Sequence, residues 1–289
     1  MEKYYIWLIQ LFGPANHIIH NVLEKYGTAE NAYNAIMRGE TAFLDRNQRN
    51  KLGYVTLDRA EKVIETAYKR GSSIVTIDSP DYPKLLKEIF NPPVILFYRG
   101  DLDCLNRLCI TAVGSREVTP YIKKLSMRVC RDLARKGITI VSGMANGVDS
   151  CAHFACVNDG LITAGVPGCG LDFDYPKGSK ILREKIVLNG GVVISELMPT
   201  AAPEPDYFRM RNRILAGLSR GTIVFQASMN SGSLITAASA VSENRDVFCV
   251  PPPDIFDRRY TGVIAYLRDG AIPLFNHDDI LSQYEGLYL

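Results

Sequence analysis

The sequence predicts an α/β protein with a doubly wound, mostly parallel sheet, preceded by a small all-α part. Two observations predict the sheet. Short apolar segments alternate with helical patterns from residue 72 onward, and one βαβ unit carries two glycine-rich turns. A third observation is that residues 1–71 show helical periodicity alone. We therefore expect a helical domain at 1–71 and an α/β domain at 72–289.

The helical part contains four segments in which apolar residues recur at helical spacing. They lie at 5–12, 18–26, 32–36 and 52–67. Gly13-Pro14, Gly27 and Gly71 are suited to end three of these helices, and Thr28 is suited to cap another. A bundle of short helices at this position is expected to contribute a solvated surface more than a binding site.

The βαβ unit at residues 108–153 is the centre of the predicted sheet. The apolar segment 109–113 predicts a buried strand that ends in the turn Gly114-Ser115-Arg116. Thr119-Pro120 provides an N-cap residue followed by proline at the first helical position. The next predicted strand, 138–141, leads into a second turn rich in small residues, 142–147. In open α/β sheets such turns lie at the edge where ligands bind.

The other predicted elements add to this unit and give an extended Rossmann-like sheet. Further strands are predicted at 73–77, 94–98, 161–166, 192–195, 222–226, 247–250 and 271–275. Helices are predicted at 82–90, 179–188, 209–218, 233–243, 263–268 and 278–284. We also expect Leu274, Phe275, Ile280 and Leu281 to be exposed and available to a partner protein.

Composition restricts the function classes. The net charge is only +2, so a nucleic-acid site must be local. The N-terminal apolar run is too short for a signal peptide or a membrane span. Seven cysteines without a Cys-x-x-Cys pair favour reduced thiols in a cytoplasmic protein.

Motifs of nucleotide chemistry are missing from the sequence. It contains neither the Walker A string nor the Gly-x-Gly-x-x-Gly fingerprint. No nucleophile with an adjacent base is evident, so no catalytic residue, cofactor or metal is expected. His153 between Cys151 and Cys156 has a spacing unlike zinc sites, and we expect it to pack with buried thiols. The alternative is a nucleotide-binding enzyme or sensor of the phosphoribohydrolase type at the same sheet edge, although the Pro-Gly-Gly-x-Gly-Thr loop of those enzymes is absent.

Small residues and cations at several predicted turns indicate an anion site at the carboxyl edge of the sheet. Ser142-Gly143 and Ser231-Gly232-Ser233 precede helices whose N–H groups can receive phosphate. Tyr175 could stack on a base, and Lys177 adds a cation. Alternate residues on a helix point about 200° apart, so Arg211 and Arg213 cannot both face one pocket. One of them is expected to bind DNA and the other to pair with an internal carboxylate.

These strings also resemble the DNA-processing protein A family, called DprA or Smf. The matching motifs, in family order, are VGSR (113–116), SGMANGVD (142–149), GxGLDxxYP (168–176), SE (195–196), RNRILAGLS (211–219), SGSLITA (231–237) and RDVFCVP (245–251). The chain departs from the family at Ile122, at Gln226 and in the loop 252–262.

The resemblance implies a fold, a function and a set of contacts. The N-terminal helices would form a sterile-alpha-motif-like or helix-hairpin-helix-like domain. The protein would bind single-stranded DNA and, as a homodimer, load the RecA recombinase onto it during natural transformation in competent cells. The implied DNA contacts, taken with the anion site above, are Gly114, Ser115, Arg116, Ser142, Gly143, Tyr175, Lys177, Arg211, Asn212, Arg213, Ser231, Gly232 and Ser233.

Overall fold

The computed structural model describes residues 1–287, and its centre is a mixed sheet. Within these residues the sheet has nine strands in the order β1-β2-β6-β5-β4-β3-β7-β8-β9. The strands are β1 Ser73–Thr76, β2 Ile95–Gly100, β3 Cys109–Val113, β4 Thr139–Ser142, β5 Thr163–Gly165, β6 Val192–Ser195, β7 Gly221–Val224, β8 Asp246–Cys249 and β9 Ile272–Pro273. β2 pairs antiparallel with β1 and β6, and the other pairings are parallel. The predicted fold class is confirmed.

Helices cover both faces of the sheet, as the alternating pattern predicts. They are α1 Glu2–Phe12, α2 Ile18–Tyr26, α3 Ala29–Met37, α4 Arg46–Lys51, α5 Leu57–Lys69, α6 Lys84–Lys87, α7 Pro120–Arg135, α8 Val148–Val157, α9 Ser179–Leu188, α10 Pro205–Gly217, α11 Ser233–Ser242, α12 Thr261–Arg268 and α13 Asp278–Gln283. Helices α7 and α8 pack on one face in a cluster with Ile110 and Ile140. Helices α6, α10 and α11 pack on the opposite face.

One helix escaped the sequence analysis because it has no apolar periodicity. The segment RNQRNK forms α4, which begins with a capping box between Asp45 and Gln48. The predicted helix at 52–67 consequently begins later, at Leu57, where the Thr56 hydroxyl accepts a hydrogen bond from the Arg59 N–H. A polar helix that is stabilised by its N-cap has no apolar face, so hydrophobic periodicity does not predict it.

The N-terminal helices pack directly against the sheet. Trp7 and Ile36 share a buried cluster with Ile95 and Phe97 of β2 and with Val193 of β6. The indole N–H of Trp7 donates to the Val55 carbonyl over 2.9 Å, which joins α1 to the segment before α5. The division into two domains at residue 71 stays a prediction.

The expected exposed apolar group near the C-terminus is wrong for two of its members. Leu274 and Ile280 are buried under the sheet, whereas Phe275 is 67% exposed and Leu281 is half-buried. The Leu274 N–H donates to the Cys249 carbonyl, which draws Leu274 into the edge of the sheet beside β8.

Candidate nucleic-acid interface

A cleft of about 450 Å³ opens at the point where the strand order reverses. The chain leaves β3 toward β4 on one side, while β7 lies on the other side of β3. The loops after β3 and β7 therefore separate and leave a crevice at the carboxyl ends of the strands. Its lining includes Gly114, Ser115 and Arg116 from the first loop and Ser231, Gly232 and Ser233 from the second.

A smaller cavity of about 200 Å³ continues this cleft. It is lined by Gly143, Tyr175 and Lys177, and it shares Arg116 and Phe208 with the larger one. We call the two cavities together the groove. The groove thus brings together residues from the turns after β3, β4, β5 and β7, which the sequence predicts to meet at one edge.

Exposed cations and half-buried aromatic rings lie together in the groove. The Cζ atom of Arg116 lies 5.9 Å from the centroid of the Phe208 ring, and that ring lies 5.5 Å from the Tyr175 ring. Arg116 and Lys177 are exposed, and neither forms a salt bridge within residues 1–287. An unpaired cation beside an aromatic face suits a phosphate followed by a stacked base.

Arg211 lies at the floor of the groove, with its charge directed at backbone carbonyls. Its Nη1 donates to the Gly143 carbonyl over 2.6 Å and also to the Val166 carbonyl. A Cβ atom at position 143 would lie 2.5 Å from that Nη1, so only glycine permits this approach. Burial lowers the pKa of Arg211 to about 10, although the Asp149 carboxylate raises it. Arg211 therefore holds the turn after β4 against β5.

Asp149 brings a buried carboxyl group to the same floor. Its Oδ2 accepts a hydrogen bond of 3.2 Å from the Ala145 N–H. Burial raises its pKa to about 6, and the charge of Arg211 and backbone donors act in the opposite direction. A carboxyl group with a pKa near neutrality gives the groove a charge that depends on pH.

Arg213 points away from the groove. Its Nη2 donates to Glu196 Oε2 over 2.5 Å, and both side chains are largely buried. It contributes to a small cavity beside His20 and Asn91, on the side of the helical part. Of the two arginines whose roles the sequence left open, Arg213 is the one paired with an internal carboxylate. Arg211 and Asn212 line the groove instead.

Ser142 does not reach the groove either. Its side chain is fully buried, and its hydroxyl donates to the Ala112 carbonyl over 2.7 Å. Ser142-Gly143 does precede a helix, as expected, but α8 begins at Val148, so this turn does not form the N-terminus of the helix. The Val148 N–H already donates to the Ser115 carbonyl, which ties the two turns together.

Several polar groups of the turn before α11 form hydrogen bonds within the protein. The hydroxyl oxygens of Ser231 and Ser233 lie 2.7 Å apart, and the Leu234 N–H donates to the Ser231 carbonyl. Asn212 Nδ2 donates to the Gly232 carbonyl over 3.4 Å, which joins this turn to α10. Ser231, Gly232 and Ser233 all line the groove, and Gly232 is the exposed member of the three.

Among the groove residues that sequence reasoning missed are Phe208, Asp149 and Arg259. Phe208 precedes Arg211 by three residues, so helical spacing could have placed it beside the arginine. Arg259 reaches the groove from the loop after β8 and is held by two hydrogen bonds to Asp257 Oδ2, of 3.0 Å and 2.6 Å. Nothing in the sequence near Arg259 signals that approach.

His153 is a buried core residue. Its Nδ1 lies 2.9 Å from the Thr163 hydroxyl, which itself donates to the Ile140 carbonyl, so Nδ1 carries the proton. Burial lowers the pKa of His153 to about 4. Cys151 and Cys156 are buried on the same helix. In the part of the chain that the structure describes, no group of three or more His, Cys, Asp or Glu residues could hold a metal ion.

The fold and the groove define a doubly wound α/β protein with a cationic, aromatic cleft at its topological switch point. Known proteins are similar to this chain in sequence and fold. DNA processing protein DprA of Streptococcus pneumoniae is 37% identical over 288 residues, which cover 99% of this chain and 99% of that protein. Protein Smf of Synechocystis is 32% identical over 296 residues, which cover 100% of this chain and 74% of that protein.

Two solved structures are similar. The X-ray structure of DNA processing protein A from Streptococcus pneumoniae has a TM-score of 0.80 at 34% identity and covers 99% of each chain. The structure of DNA processing protein A from Helicobacter pylori gives insight into its single-stranded DNA binding mode. It has a TM-score of 0.67 at 30% identity and covers 75% of this chain and 97% of that chain.

The family model of DNA recombination-mediator protein A matches residues 73–285, and the chain belongs to that family. Its general role is therefore in DNA processing as a recombination mediator. No helix within residues 1–287 has both the length and the apolar character needed to cross a bilayer.

Proposed function

We propose that this protein binds single-stranded DNA in the groove and catalyses no reaction on it. One observation carries the proposal: Arg116 and Lys177, which form no salt bridge within residues 1–287, lie in one continuous groove with the paired rings of Phe208 and Tyr175. Cations that neutralise phosphates and rings that stack on bases are the two components of single-strand binding with low sequence preference. The relative from Helicobacter pylori, which binds single-stranded DNA, supports the same assignment.

We further propose that the protein acts in the cytoplasm as a homodimer that transfers the strand to a RecA-type recombinase during natural transformation. Family membership supports this part. The DNA contacts then comprise Arg116, Lys177, Tyr175, Asn212 and the Gly114-Ser115 and Ser231-Gly232-Ser233 turns, with Gly143 and Arg211 supporting the floor. Ser142 and Arg213 have positioning roles.

The deciding experiment is a salt titration of oligonucleotide binding by fluorescence anisotropy. We expect single-stranded DNA to bind more tightly than the matching duplex, with affinity falling steeply as salt rises, by about 0.7 in log–log slope per phosphate contact. Equal affinity for both forms, or no binding at low salt, would overturn the proposal. Incubation with nucleoside monophosphates tests the enzymatic alternative, which predicts release of the free base.

A further inference from the structure

Helix α7 carries more positive charge than the whole chain. Its sixteen residues include five basic side chains and one acidic side chain, a net charge of +4, whereas the complete protein has +2. The rest of the molecule is therefore slightly acidic. A concentration of charge on one surface helix indicates a local attraction for polyanions.

The cations in the first half of α7 form no salt bridge within residues 1–287, unlike those in the second half. In the second half, Arg131 and Arg135 lie 3.4 Å and 2.7 Å from Asp159 Oδ2. Lys123 and Lys124 are exposed and form no salt bridge within residues 1–287. They are thus free to meet a ligand.

These two lysines gain nothing from the helix dipole. The N-terminal end of a helix carries a partial positive charge, so nearby anions stabilise it, whereas cations are favoured at the C-terminal end. Lys123 and Lys124 follow the first turn of α7, in the N-terminal half of the helix. Neither the helix dipole nor a salt bridge within residues 1–287 therefore explains why lysines occupy these positions.

The start of α7 is fixed rigidly to the groove. The Thr119 N–H donates to Gln226 Oε1 over 3.1 Å, and Gln226 Nε2 donates to the Glu117 carbonyl over 2.9 Å. Gln226 and Glu117 both line the groove. The Thr119 hydroxyl lies 3.0 Å from the Tyr260 hydroxyl, which places the groove residue Arg259 next to the beginning of the helix.

An aromatic side chain accompanies the lysines. Tyr121, in the first turn of α7, is 48% exposed and lies two and three residues before Lys123 and Lys124. These lysines and this exposed ring repeat, outside the groove, the combination of cation and aromatic ring found within it. Charge complementarity and continuity with the groove therefore favour the same ligand at both places.

We propose that Tyr121, Lys123 and Lys124 form a second contact surface, over which single-stranded DNA continues after it leaves the groove beside Arg116 and Arg259. This inference rests on the proposed function. It assigns to the protein a binding path longer than the groove, in which the groove holds a short segment and α7 holds the phosphates that follow.

The test compares Lys123→Gln/Lys124→Gln with the control Lys84→Gln/Lys87→Gln, which removes two exposed lysines on α6, on the opposite face of the sheet. Binding is measured with a short oligonucleotide of about 6 nucleotides and a long one of about 30. We expect the α7 variant to bind the long strand about fivefold more weakly, with the salt slope reduced by about 1.4, and the short strand as the wild type does. The control should match the wild type on both.

Each other outcome has a definite meaning. If the α7 variant and the control bind the long strand alike, the second surface is wrong while the proposed function stands. If the wild type binds neither strand, the proposed function and this inference both fail. If long-strand affinity is unchanged but binding of poly-glutamate is lost, the surface serves an acidic protein and the DNA assignment is wrong. The midpoint of urea unfolding should stay close to that of the wild type, because both lysines are exposed and form no salt bridge within residues 1–287.

Discussion

The Cζ atom of Arg116 lies 5.9 Å from the centroid of the Phe208 ring, so the turn after β3 meets the first turn of α10 across the groove. The Tyr175 ring, from the loop after β5, lies 5.5 Å beyond Phe208. Three segments distant in sequence thus form one surface that combines a positive charge with two adjacent aromatic rings. This surface determines what the groove can bind.

Removing either exposed cation of the groove should weaken DNA binding without unfolding the protein. Arg116→Ala and Lys177→Ala should each lower the affinity for single-stranded DNA about tenfold at low salt and reduce the salt slope by about 0.7, because each loses one phosphate contact. Anisotropy titrations measure both quantities. The control is Lys180→Ala, an exposed lysine on α9 outside the groove. A folded Arg116 or Lys177 variant with wild-type affinity would refute the assignment of that residue.

Phe208 should contribute through stacking. Phe208→Ala should cost about 1–3 kcal/mol of binding free energy, the range for loss of a base–aromatic contact, and leave the salt slope unchanged because no phosphate contact is lost. Phe173→Ala is a matched control, since Phe173 is a partly exposed ring outside the groove. An altered slope with unchanged affinity at low salt would contradict a stacking role.

The buried pair of Arg213 and Glu196 should matter for stability. Arg213→Ala leaves a buried carboxyl group without its partner, and burial already raises the pKa of Glu196. We expect a loss of about 3 kcal/mol in the free energy of unfolding, measured in urea. Replacing both residues, Arg213→Met with Glu196→Leu, should recover most of it. Arg209→Ala, which removes an exposed arginine of the same helix, should change stability by less than about 0.5 kcal/mol.

Single-strand affinity should rise as the pH falls from about 7.5 to 5.5. Asp149 has a folded-state pKa of about 6, so acidification through this value removes a negative charge from the floor of the groove. For a dT oligonucleotide, whose bases do not titrate in this range, we expect a gain of about fivefold, the size of one screened charge interaction. Asp149→Asn should remove most of this dependence.

The same carboxyl group links pH to folding with a definite sign. Its pKa is raised above the unfolded value of 3.8, so the stability it contributes is complete below 3.8 and is lost as the pH rises through about 6. Asp149→Asn should therefore flatten the stability profile between these values. Asp206→Asn, at the exposed start of α10, is the control and should retain both pH profiles. Unchanged profiles in Asp149→Asn would contradict the raised pKa.

Sequence patterns predicted the sheet well because each strand carries its own signal. The predicted strands from Ser73 to Phe275 all occur. A short apolar segment bounded by turn residues indicates a buried strand whatever the rest of the chain does. The antiparallel pairing of β2 was beyond prediction, because strand direction depends on how the connecting segments cross the sheet. Helix α4 escaped because its stability comes from a cap and not from an apolar face.

For the groove, the sequence alone determined which turns end at the ligand-binding edge, because parallel strands direct their carboxyl ends the same way. Only the tertiary structure decided which side chains of those turns are available. The Ser142 hydroxyl donates to the Ala112 carbonyl, and Arg213 forms a salt bridge with Glu196, so neither is available to a ligand. The fold places Phe208 beside Arg116. The physical reason is that a buried polar group must find a partner, and that partner lies far away in sequence.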